Sequence, residues 1–142
     1  MAENHKENLP AVPEMKLELA PVPVSDVDRA KAFYVEKVGF HVDLDVQPGN
    51  GMRVVQLTPP GSACSIVIGA GMGEISEMRP GTVKGLHLVV ADINKARAEL
   101  AGRGVEVGKV DDLGGVKYVR FSDPDGNSWL LQEIPADAKR SF

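Results

Sequence analysis

The chain runs to 142 residues, 43% of them apolar and 25% charged, which is the length of one domain and the balance of a folded one. Its 16 Lys and Arg against 20 Asp and Glu leave a net charge of −4, so no cationic surplus exists to neutralise nucleic-acid phosphates or an anionic membrane surface. A single cysteine, Cys64, excludes an intrachain disulfide and a Cys-rich zinc site.

Met1 to Glu14 is polar, with no apolar core of signal-peptide length, and reads as a loose tail. No apolar run approaches a bilayer span, so a soluble, cytoplasmic protein is expected. Lys16 to Val24 reads as a strand that Pro21 and Pro23 confine to an edge. Ser25-Asp26 then caps a helix carrying Val27, Ala30, Phe33-Tyr34 and Val38 at helical spacing, and Gly39 ends it. Phe40, Val42, Leu44 and Val46 alternate with His41, Asp43 and Asp45, the pattern of a half-buried strand with the acids on a solvated face. Met52–Thr58 and Ala63–Gly69 are two further strands, parted by Pro59-Pro-Gly-Ser62. After a Gly-rich link the order begins again: strand 84–91, a helix capped by Asp92 and stopped by Gly102 and Gly104, then strands 105–110, 116–122 and 128–134.

The pattern is βαβββ written twice. Asp26 and Ala30 match Asp92 and Ala96 at an offset of 66 residues, and Leu57, Thr58 and Pro60 match Phe121, Ser122 and Pro124 at 64. Such drift-limited self-similarity marks a duplication. The expected fold is α+β: two tandem modules, 15–69 and 84–135, joined by a linker at 70–83, forming a half-open barrel with a shared groove. Residues 136–142 are a C-terminal tail.

The string Pro23-Val-Ser-Asp-Val-Asp-Arg-Ala-Lys-Ala-Phe-Tyr34, with Val38-Gly-Phe40, resembles the first module of the vicinal oxygen chelate superfamily. Phe121-Ser-Asp-Pro-Asp-Gly-Asn127 resembles its second-module signature. That superfamily includes glyoxalase I, bleomycin-resistance proteins, extradiol dioxygenases and methylmalonyl-CoA epimerase. The resemblance implies four metal-ligand positions at fixed distances from these motifs, and they fall on Leu19, Ile66, Gly85 and Leu130. None of these side chains offers a lone pair to a divalent cation. No metal and no cofactor is therefore expected, and a displaced site on His87 and Gln132 would still lack a carboxylate.

Strand parity assigns Leu19, Pro21, Cys64, Ile66, Ile68, Gly85, His87, Leu130 and Gln132 to the groove, with Val54, Gln56, Tyr118 and Arg120. Val55, Leu57, Val119, Phe121, Trp129 and Leu131 are assigned to the helix-side core. The ligand-binding candidates are Gln56, His87, Tyr118, Arg120 and Gln132, polar groups in an apolar cup suited to a small organic molecule. Gly69-Ala-Gly-Met-Gly73 is followed by no helix and reads as the link between modules. Asp111-Asp112 reads as a turn, and Asp123 and Asp125 as parts of the Asp-Pro-Asp-Gly turn. The resulting expectation is a metal-free protein that sequesters a small molecule, as bleomycin-resistance proteins do, and acts as a homodimer. The alternative is a lyase or isomerase with His87 as general base and Arg120 holding a substrate oxyanion.

Overall fold

The computed structural model describes residues 11–136. The elements are β1 (Leu19–Pro21), α1 (Val27–Ala32) continued by a π-helical turn (Phe33–Val38), β2 (His41–Gly49), β3 (Met52–Thr58) and β4 (Ser65–Ala70). A short 3-10 turn (Gly73–Glu77) follows, then β5 (Leu86–Val89), α2 (Ile93–Gly102), β6 (Asp111–Leu113), β7 (Val116–Ser122) and β8 (Ser128–Glu133). The strands form two four-stranded sheets of matching order, β1-β4-β3-β2 and β5-β8-β7-β6. In each the first strand pairs parallel and the rest antiparallel. This is the α+β, twice-βαβββ architecture that the duplication predicts. Parts of both expected tails, residues 1–10 and 137–142, lie outside the described residues.

Local chemistry starts both helices the same way. The Asp26 and Asp92 carboxylates accept from the amides of Arg29 and Lys95, three residues on, and fill donors that a first turn leaves unpaired. Gly39 stops the first helical stretch at φ 92°, a left-handed angle that costs glycine little.

One core serves both modules. Val55, Leu57, Ile66 and Ile68 from the first sheet meet Val119, Phe121, Trp129 and Leu131 from the second, with Ala30, Tyr34, Ile93 and Leu100 of the helical stretches among them. Each sheet thus buries its helix-side face in a common interior. The modules are also pinned by polar contacts. Tyr34 donates to Asp123 at 2.8 Å and accepts from Trp129 Nε1 at 2.9 Å. Asn127, fully buried, donates to both Asp123 and the Pro23 carbonyl at 2.8 Å. Asp125 accepts from the Ser25 amide and hydroxyl and pairs with Arg29. The Asp-Pro-Asp-Gly segment is therefore the turn that its sequence predicts, and it also clasps the first module.

Three expected strands differ. The 16–24 strand shrinks to Leu19–Pro21, as its prolines cannot extend a ladder. No strand forms over 105–110; Val105 is buried and Gly108 makes a lone ladder-like bond to the Arg120 carbonyl, 2.8 Å. The edge strand starts instead at Asp111, so Asp111-Asp112 is strand rather than turn, and Gly114-Gly115 make the hairpin bend. The third correction is in β2. Val42 lies opposite Leu57 and Leu44 opposite Gln56, so Asp43 is an extra, bulged residue. Beyond it the alternation reverses. Leu44 and Val46 leave the core side, and Asp45 takes the helix side.

Asp45 is held there by two cations. Arg53 bonds it through Nε and Nη2 at 3.1 and 2.9 Å, and Lys31 of α1 at 2.8 Å. The Arg53 bonds first, then that from Lys31, hold its carboxyl well below the usual carboxylate range. It is thus not a solvated acid on an open strand face.

Candidate functional site

With the helix-side faces buried in common, the opposite face of each sheet lies outside the shared core, although Ser65 and Val67 there are themselves buried, and the pairing registers say which residues it carries. On the second sheet His87, Leu130 and Arg120 lie abreast, and Val89, Gln132 and Tyr118 lie abreast one step along the same face. The sequence-derived parity is correct for this sheet. On the first sheet Leu44, Gln56 and Val67 lie abreast, with Pro21 beside Val67, and Leu19 pairs with Ser65. Here the expected lining needs correction: Ile66 and Ile68 sit opposite Leu57 and Val55, inside the core. Cys64 is half-buried in the turn before β4.

The cause is one residue of turn length. Thr58 and Ser65 bound a six-residue turn, whereas the equivalent Ser122 and Ser128 bound five. Past that turn the offset between modules is 63, not 64, and a slip of one residue moves every side chain to the other face. The position equivalent to Leu130 is therefore Val67.

Four of the five predicted polar residues share the free face of the second sheet. The rings of His87 and Tyr118 meet edge to face, 6.0 Å between centroids. Gln132 Nε2 donates to the Tyr118 hydroxyl at 3.2 Å, which leaves the phenolic hydrogen for another acceptor. His87 Nδ1 lies 2.6 Å from the Gly85 carbonyl. A carbonyl only accepts, so in the neutral ring Nδ1 carries the hydrogen and Nε2 presents a lone pair. Arg120 is exposed and makes no ion pair among the described residues. Leu130 and Val89 add apolar surface around these groups.

The fifth residue, Gln56, is on the other sheet, and its described polar contact is Ser65 at 3.4 Å. Ser65 in turn meets Thr58 at 2.6 Å, and Thr58 bonds the bulged Asp43. Sequence reasoning missed Asp43, Thr58 and Ser65. The repeat did carry a signal, since Thr58 and Ser65 match Ser122 and Ser128 once the longer turn is counted. A separate apolar cleft of about 270 Å³ lies between Phe40 and Pro59-Pro60 of the first module and Leu88, Leu100 and Leu131 of the second.

The sequence profile of the Glyoxalase/Bleomycin resistance protein/Dioxygenase superfamily matches residues 16–131. This chain belongs to that superfamily. It is 37% identical to TnmS3, an antibiotic binding protein from Streptomyces sp. CB03234, whose crystal structure superposes with a TM-score of 0.77 over 87% of this chain and 99% of that one. A glyoxalase/bleomycin resistance protein from the same organism is 40% identical, with a TM-score of 0.69 over 82% of this chain and 98% of that one. YetH of Bacillus subtilis (strain 168) is 31% identical over 113 residues, 78% of this chain and 91% of YetH.

Catalytic members of the superfamily hold a divalent metal, and the residues can be tested against it. In register the four places are Leu19, Val67, Gly85 and Leu130, three hydrocarbon side chains and none. Gly85 also has φ 76°, where any side chain would be strained. Among the described residues no three of His, Cys, Asp and Glu are grouped so as to hold a metal ion. The donor set does not fit, because His87 offers one nitrogen where a stable site takes three or four ligands.

Proposed function

We propose that the chain is a binding protein of the sequestration type, taking up a small organic molecule without metal chemistry, in a groove closed by a second copy of itself. The observation that carries this reading is where the exposed hydrophobics lie. Leu44 (38% exposed), Val46 (46%), Val89 (41%) and Leu113 (66%) all belong to the free sheet faces. Beyond them, the large exposed hydrophobics among the described residues are Val12, Met15 and Leu17, ahead of β1. Apolar faces on both sheets, one of them set with His87, Tyr118, Arg120 and Gln132, suit a greasy ligand with a few oriented polar contacts. The likeness to TnmS3 supports the same reading.

A second reading is favoured by the His87 tautomer. With Nδ1 tied to Gly85, Nε2 of the neutral ring presents its lone pair beside a phenol, and Arg120 stands two strands over, beyond Leu130 on the same face, to hold a developing oxyanion. That arrangement would serve a proton-transfer lyase or isomerase.

One experiment separates the two. The gene is expressed in a susceptible bacterium challenged with a panel of apolar, polycyclic antibiotics, and the compound is recovered from any protected culture. Sequestration predicts protection with unmodified compound bound to the protein, and His87→Ala weakens it only modestly. Recovery of a chemically altered compound, abolished by His87→Ala, would replace it with the enzymatic reading.

A further inference from the structure

On the first sheet's free face, Asp43, Thr58, Ser65 and Gln56 form a continuous hydrogen-bonded row. Its direction is fixed by proton counting. The Asp43 carboxylate only accepts, so the single Thr58 hydroxyl hydrogen is committed to it. Thr58 Oγ1 must then accept from Ser65, 2.6 Å away, which commits the single Ser65 hydrogen. Ser65 Oγ is left able only to accept, so Gln56 must turn Nε2 and not Oε1 towards it. Flipping the amide would set two acceptors against each other. Gln56 Oε1 is thereby presented away from the row, on the face that also carries Leu44, Val54 and Val67.

We propose that this row makes Gln56 a fixed hydrogen-bond acceptor in the ligand site, selecting molecules that bring a hydroxyl or N–H donor to the first sheet. The inference rests on the binding reading above and deepens it. A negative charge at the far end polarises each hydroxyl in turn and strengthens the acceptor at the near end. Leu44 and Val54 lose their water when a ligand seats, so an unmatched Oε1 is then left unpaired. A ligand that offers no donor is disfavoured on the order of 10- to 100-fold. The second sheet complements this, since Arg120 and the Tyr118 hydroxyl are donors that suit an acceptor at the ligand's other end.

The bulge explains why the device is here and not in the second module. Inserting Asp43 turns its carboxylate towards Thr58, whereas the equivalent Ser122 and Ser128 pair across their strands, Ser128 Oγ accepts from the Gly85 amide, and neither hydroxyl bonds a carboxylate among the described residues.

The test has two arms on the full-length protein. Without ligand, the side-chain amide resonances of Gln56 are followed in Asp43→Asn, with those of Gln132 as internal control. The amide that this substitution introduces can donate to Thr58 and so reverse the row. The proposal expects the Gln56 pair to move and the Gln132 pair to stay, and it is overturned if Gln56 is unmoved. With ligand, 2-naphthol and 2-methoxynaphthalene, in which a methyl group replaces the donor hydrogen, are titrated by NMR against wild type, Asp43→Asn and Gln56→Met. Wild type should favour 2-naphthol at least tenfold. Gln56→Met and Asp43→Asn should lose that preference by binding 2-methoxynaphthalene more tightly, because no acceptor is then left unpaired against it. A preference that survives Gln56→Met overturns the role of Gln56. If neither probe perturbs the free faces of any variant, the binding reading itself fails and takes the ligand-selecting role with it, whatever the first arm shows.

Discussion

Tyr34 of the first module donates its phenolic hydrogen to Asp123 of the second at 2.8 Å, in a site where neither side chain reaches solvent to any useful extent. Burial, and then the Asp123 charge, push the Tyr34 ionisation far above the ordinary phenol value. A neutral phenol is thus the form the fold requires. A raised folded-state value means stability is fully present below the unfolded value, about 10, and falls as pH rises beyond it. The wild type should lose about 1.4 kcal/mol of unfolding free energy per pH unit above pH 10 from this residue alone. Tyr34→Phe removes that dependence. At neutral pH it costs about 1–3 kcal/mol, because Trp129 Nε1 loses its acceptor and Asp123 a donor. Urea unfolding of both proteins at pH 7 and at pH 10.5–11 measures both effects; equal alkaline slopes would show that Tyr34 is not the group responsible.

Asp45 sets the opposite, acid limit. Its folded-state carboxyl is held well below the usual range by Arg53 and Lys31. The stabilisation is therefore present above the unfolded value of about 4 and is lost as pH falls through the folded one. Asp45→Asn should cost about 1 kcal/mol at pH 7, more than a fully exposed pair, since the side chains of Asp45 and Arg53 are only 21% and 20% exposed. The gap between variant and wild type should narrow steadily from pH 5 towards pH 2. A gap that stays constant over that range would deny the linkage.

These two contacts also mark how far the sequence could be read. Helix caps at Asp26 and Asp92, the stop at Gly39, the βαβββ repeat and the second sheet's faces follow from local chemistry and from an uninterrupted period of two. The first sheet's faces do not, because two single-residue events intervene. The Asp43 bulge carries Leu44 and Val46 out of the core and Asp45 in. The longer turn before β4 exchanges Ile66 for Val67. Both leave composition and propensity unchanged, so only pairing register exposes them. The row from Asp43 to Gln56 depends on both events, and so no alternation pattern could reveal it. Tyr34–Asp123 was hidden for another reason: an aspartate in a Pro-Asp-Gly turn satisfies its local role, and a second partner 89 residues away leaves no trace in the spacing.

The chemistry of the four register positions predicts indifference to metals. Protein stripped with chelator and dialysed against one equivalent of nickel or zinc should retain no stoichiometric ion, and its melting temperature should not rise, since a ligand that binds only the folded state must stabilise it. One equivalent bound tightly by wild type and lost in His87→Ala would establish a displaced site around that ring and reverse the assignment.

The free faces make a stronger claim about assembly, and it can be tested without knowing the ligand. Leu44 and Val89 lie on different sheets, each on the face away from the shared core. If the first sheet of one copy covers the second sheet of the other, each residue is buried at one end of the same interface, where an unpaired charge costs several kcal/mol. Wild type should sediment as a dimer at micromolar concentration, and Leu44→Glu and Val89→Lys should each give monomers. Neither position belongs to the core, so both variants should keep a wild-type circular dichroism spectrum. The double variant then reports geometry. In an arrangement of unlike faces every introduced glutamate meets an introduced lysine and the dimer returns, its affinity now falling with added salt. In an arrangement of like faces, glutamate meets glutamate and lysine meets lysine, and the double variant stays monomeric. Dimers that survive both single substitutions would show that the apolar faces are not where the copies meet.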